Sequence, residues 1–315
     1  MPVPAAAATM MEPAAVAAGA YYEGFFGHPV RDIGLVLDGL RASHQAGAPA
    51  LFLVGDSSVD NKHWLFPGGD QSARALLRDA RGNEGYFTAD AVNGYERILQ
   101  PPRMVCDVTY WLNQLQLLHG GRGFALNCAV EATTLTSRTG GCQCCCLPLC
   151  GGLLAQDRFV RDNVRSSDFV VASVGGNDIA LAPSIFTVVF LLMLMLTPMC
   201  FLQAMGRFHP AVAYFEVLFR FQVQKYISEL VSRTKPRRVG VCMIYYLDEA
   251  AVNSWAGAAL CLLCYNVAPT LLQRRLDMAF EIGTCRVTVP GTKVVPMRAG
   301  CSHALPLESL NFVHE

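Results

Sequence analysis

Three short polar segments contain the residue types that acyl transfer requires. The segments are Gly55-Asp56-Ser57-Ser58, Asn127 to Thr134, and Gly175-Gly176-Asn177-Asp178. A serine directly after a strand has a free backbone N–H beside its hydroxyl, so Ser57 could act both as nucleophile and as oxyanion donor. An asparagine in a glycine-rich turn, such as Asn177, can direct its amide N–H groups at the same oxyanion. Together the segments predict a nucleophilic serine site.

Each polar segment follows a short apolar run of the kind that forms a buried parallel strand. Five such runs start at or near Ala50, Phe124, Asp168, Arg238 and Cys285. Helical segments are expected over Arg31–Gln45, Asp107–Leu118 and Ala211–Ser232. This alternation predicts an α/β domain with an open parallel sheet and helices on both faces. Ligands of such sheets bind beyond the carboxyl ends of the strands, where the polar segments lie.

The order and spacing of these segments resemble the SGNH (GDSL-type) hydrolase family. Its successive blocks are Gly-Asp-Ser, an Asn-containing strand end with a Gly, Gly-x-Asn-Asp, and Asp-x-x-His near the C-terminus. The resemblance extends from about Leu51 to the end of the chain. It implies a flavodoxin-like three-layer sandwich with a central parallel sheet. It also implies a serine esterase or lipase-like acyl hydrolase that cleaves small carboxylic esters through an acyl-enzyme intermediate, without a metal or organic cofactor.

The resemblance also implies a role for each matching residue. Ser57 is the expected nucleophile, and the oxyanion hole would consist of the Ser57 and Ala132 backbone N–H groups and the Asn177 side chain. Ala132 stands where the family has glycine, which is compatible with this role provided that its φ angle is negative. Supporting roles fall to Gly55, Asp56, Gly176 and Asp178.

The general base is the fourth expected component. His314 has the family's spacing, but Asn311 stands where the family has the orienting aspartate. An asparagine can orient an imidazole but cannot stabilise the imidazolium, a change that costs serine proteases about ten-thousandfold in turnover. The chain also ends without the family's final helix. The alternative is therefore a degenerate or C-terminally truncated protein that binds an acyl or glycan ligand. Other candidate bases are His63, His209 and, as the best substitute, His303.

Two segments interrupt the α/β pattern. A Cys-rich insertion at about 140–152 has five cysteines between Cys142 and Cys150 and no histidine, and its crowded spacing does not suit zinc, so no metal is predicted. The span Ile179–Gly206 is uncharged and approaches the length that crosses a bilayer. Its prolines favour a shorter, buried or partly exposed helix at about 183–205. A protein anchored to a membrane by this span is the remaining alternative.

Composition excludes two further classes of protein. The 25 Lys and Arg residues balance 25 Asp and Glu residues, so no nucleic-acid partner is expected. The 52% hydrophobic content excludes a wholly disordered chain.

Residues 1–20 are Ala-rich, lack Lys and Arg, and are predicted to be a disordered tail. Residues 21–315 are predicted to form a single domain, with a soluble intracellular protein favoured and the oligomeric state left open.

Overall fold

The fold is organised around a parallel sheet. The computed structural model describes residues 15–62, 88–140, 151–246, 263, 265 and 267–298. The sheet strands are Ala50–Gly55 (β1), Phe124–Asn127 (β2), Phe169–Ser173 (β3), Arg238–Cys242 (β4) and Lys293–Met297 (β5). They confirm the five predicted strands. Within the described residues their spatial order is β2-β1-β3-β4-β5 and every pair is parallel, which is compatible with a flavodoxin-like α/β fold.

Two helices precede the first strand of the sheet, and the others lie in the connections between its strands. Their bounds are Ala18–Glu23 (α1), Val30–Ser43 (α2), Val108–Leu118 (α3), Leu135–Thr139 (α4), Ala155–Asn163 (α5), Asn177–Ala180 (α6), Ile185–Leu196 (α7), Met199–Met205 (α8), Pro210–Glu216 (α9), Val223–Leu230 (α10) and Pro269–Ile282 (α11). A π-helical segment, Val217–Gln222, joins α9 to α10. The three predicted helical segments correspond to α2, α3 and the α9–α10 pair.

Side chains of β1 alternate between two apolar clusters, because successive residues of a strand point to opposite faces of the sheet. Phe52 is fully buried in the main hydrophobic core, which includes Ile33 of α2. Leu53 belongs to a second cluster, against which Val108 of α3 packs. Both faces of β1 are therefore covered, which explains why its sequence is apolar throughout.

Part of the segment predicted to be a disordered tail forms secondary structure. Val16–Ala17 pairs in parallel with Leu99–Gln100, and Val16 is 3% exposed. In the following helix α1, Tyr21 and Tyr22 are buried in the main core. The prediction of disorder through residue 20 is therefore wrong for residues 15–20, because these apolar side chains contribute to the core. Residues 1–14 lie outside the described part of the chain.

The uncharged span Ile179–Gly206 contains two apolar helices, α7 and α8, where one helix was expected. Pro198 follows the end of α7 and directly precedes α8. Among the described helices, none is by itself long and apolar enough to cross a membrane. Two consecutive helical segments, Ile185–Leu196 and Met199–Phe208, meet at an angle of 112°. Taken together, this bent pair is long and apolar enough to cross a membrane.

Candidate active site

The ends of β1 and β3 bring Ser57 and Asn177 to one cavity. In the order β2-β1-β3 the direction of strand addition reverses between β1 and β3, and ligands of doubly wound sheets bind at such a point. Ser57 follows β1 and Asn177 follows β3, and both line a cavity of about 170 Å³. Two of the expected site residues, distant in the sequence, therefore share a single cavity wall.

The turn that carries Ser57 depends on Gly55. Gly55 has a φ of +134°, and a Cβ placed on it would lie 1.9 Å from the Ser173 carbonyl oxygen. The backbone N–H of Asp56 donates to that same carbonyl oxygen at 3.0 Å. The Asp56 carbonyl oxygen then accepts hydrogen bonds from the backbone N–H groups of Val59 and Asp60. Only glycine fits where β1 ends, and this tight geometry fixes the position of Ser57.

The two neighbouring serines have different environments. The Ser58 hydroxyl donates to Asp56 Oδ1 at 2.8 Å and lies 2.6 Å from Ser173 Oγ. Ser57 is 8% exposed, and its Oγ makes no hydrogen bond to any described residue. Burial raises the pKa of Asp56, which the two hydrogen bonds from Ser58 partly oppose. Of the two hydroxyls, Ser57 Oγ is therefore the one available for a reaction in the cavity.

Asn177 and Asp178 connect the loop after β3 to the loop after β2. The Asn177 side-chain Nδ2 donates to the Thr133 carbonyl oxygen at 2.9 Å. The Asp178 carboxylate accepts from the backbone N–H groups of Leu135 and Thr136 at 2.7 and 3.0 Å, and from Thr136 Oγ1 at 2.6 Å. One amide N–H of Asn177 thus holds Thr133, which orients the side chain at the edge of the cavity.

Ala132 has a left-handed backbone conformation. Its φ is +57°, so the condition of a negative φ, under which alanine could replace the family's glycine, is not met. For an L-residue this conformation costs about 1–2 kcal/mol, whereas glycine adopts it readily. Ala132 is half-buried and is not among the described residues that line the cavity. The alanine therefore introduces strain in the loop that leads to Thr133.

A buried arginine that the sequence did not single out joins the two loops of the site. Arg138, on α4, donates to the Gly55 carbonyl oxygen at 2.5 Å and to Thr133 Oγ1 at 2.8 Å. Its guanidinium is paired with the Asp157 carboxylate, which also accepts from the Tyr226 hydroxyl at 2.8 Å. The fully buried Arg138 guanidinium therefore bonds both the end of β1, just before Ser57, and the loop after β2, which Asn177 contacts.

The pKa of Arg138 reflects this pairing. Burial acts to lower the guanidinium pKa, but Tyr226 and Asp157 outweigh burial and raise it. Arginine is usually exposed, and Asp157 and Tyr226 are far from Arg138 in the sequence. No local spacing signal could therefore have identified the network.

A second buried ion pair follows the turn at Gly55–Ser58. Lys62 Nζ donates to Asp60 Oδ1 at 2.5 Å, and both side chains are fully buried. The other Asp60 oxygen accepts from the Glu131 backbone N–H at 3.0 Å. Nearby, Asp107 caps α3 by accepting from the Tyr110 N–H, and burial, reinforced by Asp60, raises the Asp107 pKa to about 7. The loops after β1 and β2 are thus also connected by buried charges.

None of the residues predicted as a general base lies at the cavity within the described part of the chain. Asn311 and His314, like His63 and His303, are outside the described ranges, as are the cysteines from Cys142 to Cys150. His209 is buried beside α9, with its Nε2 3.3 Å from Thr197 Oγ1. None of the four described histidines lines the cavity. Within the same ranges, no three His, Cys, Asp or Glu side chains cluster in a way that would hold a metal ion.

The rest of the described cavity lining is mainly apolar, apart from Tyr245, Tyr265 and Arg275, and most of it comes from α7, the α9–α10 region and α11. Its apolar side chains include Leu191, Leu194, Phe215, Phe219, Leu276 and Ala279.

Comparison of the chain with protein-family models gives no match, and comparison with curated protein sequences gives none either. The functional argument therefore rests on the geometry of this cavity and on the sequence motifs that line it.

Proposed function

We propose that the protein is a serine acyl hydrolase of the SGNH type that cleaves carboxylic esters. The observation that carries the proposal is that Ser57 and Asn177 line the same cavity at the reversal point of the sheet. Ser57 has an unengaged hydroxyl among the described residues, and Asn177 has an oriented amide. A nucleophile and an oxyanion donor on one wall are what acyl transfer requires.

The proposed reaction has two steps. Ser57 Oγ attacks the ester carbonyl carbon, and its proton passes through a histidine base to the departing alcohol as the carbon–oxygen bond to that alcohol breaks. Water then attacks the acyl-enzyme, releases the carboxylic acid and returns the proton to Ser57. In both steps the Ser57 backbone N–H and the second amide N–H of Asn177 stabilise the negative charge on the former carbonyl oxygen.

The first experiment measures hydrolysis of p-nitrophenyl acetate and butyrate by the full chain and by three variants. Ser57→Ala should lower kcat by more than about a thousandfold, because it removes the nucleophile. Asn177→Ala should lower kcat by about a hundredfold to a thousandfold, the usual effect of losing one oxyanion donor. Ser58→Ala is the matched control. It should still react with a fluorophosphonate probe, because its Ser57 is intact.

The outcomes separate the proposal from its alternative. Circular dichroism of each variant checks that it is folded. A folded wild type that neither hydrolyses these esters nor reacts with the probe would contradict the proposal and favour the ligand-binding alternative. Given activity, alanine substitutions at His63, His303 and His314 then identify the base, since only the loss of the true base should abolish turnover.

A further inference from the structure

The two walls of the cavity differ in chemistry, and the difference indicates which part of a substrate lies there. One part of the lining contains Ser57 and Asn177, and the other part, called the apolar side, comes mostly from α7, the α9–α10 region and α11. On the second side, Leu194 and Ala279 are buried and apolar. A ligand that reaches from Ser57 into this space therefore exchanges water for hydrocarbon, which favours an apolar chain.

The one charged side chain among the described residues of the apolar side, Arg275, donates mainly to backbone carbonyl oxygens. Arg275 is 3% exposed and donates to the carbonyl oxygens of Leu194, Met195, Thr197 and Leu271 at 2.8–3.0 Å. These bonds attach α11 to the C-terminal end of α7. Because four of its five N–H donors are engaged by backbone carbonyl oxygens, Arg275 serves mainly to join two helices and is poorly suited to bind an anionic substrate group.

The volume of the cavity limits the length of the chain. The cavity measures about 170 Å³. A dry apolar cavity of about 150 Å³ in another protein holds one benzene molecule, which has six carbon atoms. An unbranched chain of about six carbon atoms is therefore the size that fills the space beside Ser57.

We propose that this cavity binds the acyl chain of the substrate and selects unbranched acyl groups of about six carbons. The inference rests on the proposed function. It assigns the cavity to the acyl side because the acyl group stays bonded to Ser57 Oγ after the alcohol has left. A cavity that opens at Ser57 and buries this chain stabilises both the transition state and the acyl-enzyme. The polar alcohol portion would then face away from the apolar side.

The test compares p-nitrophenyl acetate, butyrate, hexanoate, octanoate and dodecanoate on the full chain. Each buried methylene should raise kcat/KM by about threefold to fourfold, so hexanoate should exceed acetate by roughly a hundredfold. Beyond about six carbons the gain should stop, because a longer chain no longer fits the cavity. Hexyl acetate serves as the reversed ester, and it should be hydrolysed no faster than ethyl acetate. A preference for hexyl acetate would overturn the assignment to the acyl side.

Two variants change the cavity in opposite directions. Ala279→Phe should fill it and lower the hexanoate-to-acetate ratio of kcat/KM at least tenfold. Leu276→Ala should enlarge it and move the optimum toward octanoate or longer. Ala155→Phe, an exposed position at the start of α5 away from the cavity, is the matched control and should leave the ratio within twofold of wild type. Unchanged ratios in both cavity variants would contradict the proposal.

A binding measurement separates failure of this inference from failure of the proposed function. Sodium hexanoate should raise the Tm of Ser57→Ala, and sodium acetate at the same concentration should not. Hydrolysis that depends on Ser57 but prefers acetate would contradict the acyl cavity and leave the hydrolase intact. Hexanoate binding without any ester hydrolysis would contradict the hydrolase and leave a cavity that binds acyl chains.

Discussion

Two buried arginines hold the two sides of the cavity, and they do so differently. Arg138 lies behind the polar wall, where it is paired with the Asp157 carboxylate and holds Gly55 and Thr133. Arg275 lies on the apolar side and donates to four backbone carbonyl oxygens, with no ion pair to any described carboxylate. The charge of Arg138 is balanced by a carboxylate. The charge of Arg275 is balanced mainly by the carbonyl dipoles at the C-terminal end of α7.

This difference shows how the two sides are specified. The polar wall depends on a network in which each member has several defined partners, so its geometry tolerates little change. On the apolar side, packing and one helix junction are the main contacts, and apolar side chains of similar volume can replace one another there. We therefore expect substitutions in the polar wall to affect folding and kcat, and substitutions on the apolar side to affect substrate selection.

The largest effect is expected at Arg138. Arg138→Met leaves the Asp157 carboxylate buried without its cation and should lower the free energy of unfolding by about 3–5 kcal/mol. Urea denaturation of wild type and variant measures the change. The double variant Arg138→Met/Asp157→Leu removes both charges and should recover a substantial part of the loss. A single variant as stable as wild type would show that the polar wall does not depend on this ion pair.

The free energy of unfolding should also depend on pH through Asp107, the N-cap residue of α3. The Asp107 pKa is about 7 in the fold because of burial, far above its ordinary value, so between pH 4 and 7 the folded state binds more protons than the unfolded state. This contribution to stability is present at low pH and is lost as pH rises through 7. Asp107→Asn keeps a good N-cap residue and should remove this loss, which amounts to at most about 4 kcal/mol.

Urea denaturation at pH 4.5, 5.5, 6.5 and 7.5 checks the Asp107 prediction. The stability of Asp107→Asn relative to wild type should increase steadily over this range, because the groups common to both proteins cancel in the difference. A difference that does not change with pH would mean that Asp107 is charged in the folded protein throughout the range.

A smaller effect is expected at Arg275. Arg275→Met preserves much of the side-chain volume but leaves the carbonyl oxygens at the end of α7 without their donor, which should cost about 1–3 kcal/mol. Chemical denaturation again provides the measurement. The comparison with Arg138 predicts a smaller loss than in Arg138→Met, since no carboxylate is left unpaired. A loss as large as that of Arg138→Met would remove the distinction between the two sides.

The smallest effect is a gain. Ala132→Gly relieves the left-handed conformation and should raise the free energy of unfolding by about 0.5–1 kcal/mol, after allowing for the greater freedom of glycine in the unfolded chain. Ala129→Gly is the control nearby. Ala129 is fully buried and has no such strain, so its loss of a methyl group should be destabilising. Equal effects at both positions would contradict the strain argument.

Part of the site could be predicted because its signals are local. Apolar runs that end in small polar residues identified β1 and β3, and the sharp turn at Gly55 accounts for the glycine before Asp56 and Ser57. Ala132 lacks the negative φ that its expected role requires, and the sequence could not show this. Its φ depends on how the loop after β2 meets Gly55, where the Val130 N–H donates to the Gly55 carbonyl oxygen. That contact joins two segments far apart in the sequence.

By itself, the sequence determined the strands, their polar ends and therefore the residue types available at the carboxyl edge of the sheet, because hydrophobic periodicity and turn chemistry act over a few residues. Only the tertiary structure decided that Ser57 and Asn177 share a cavity, that Arg138 joins their loops, and that α7 and α11 form the apolar side. Strand order and long-range burial create these contacts, and neither is encoded in the spacing of neighbouring residues.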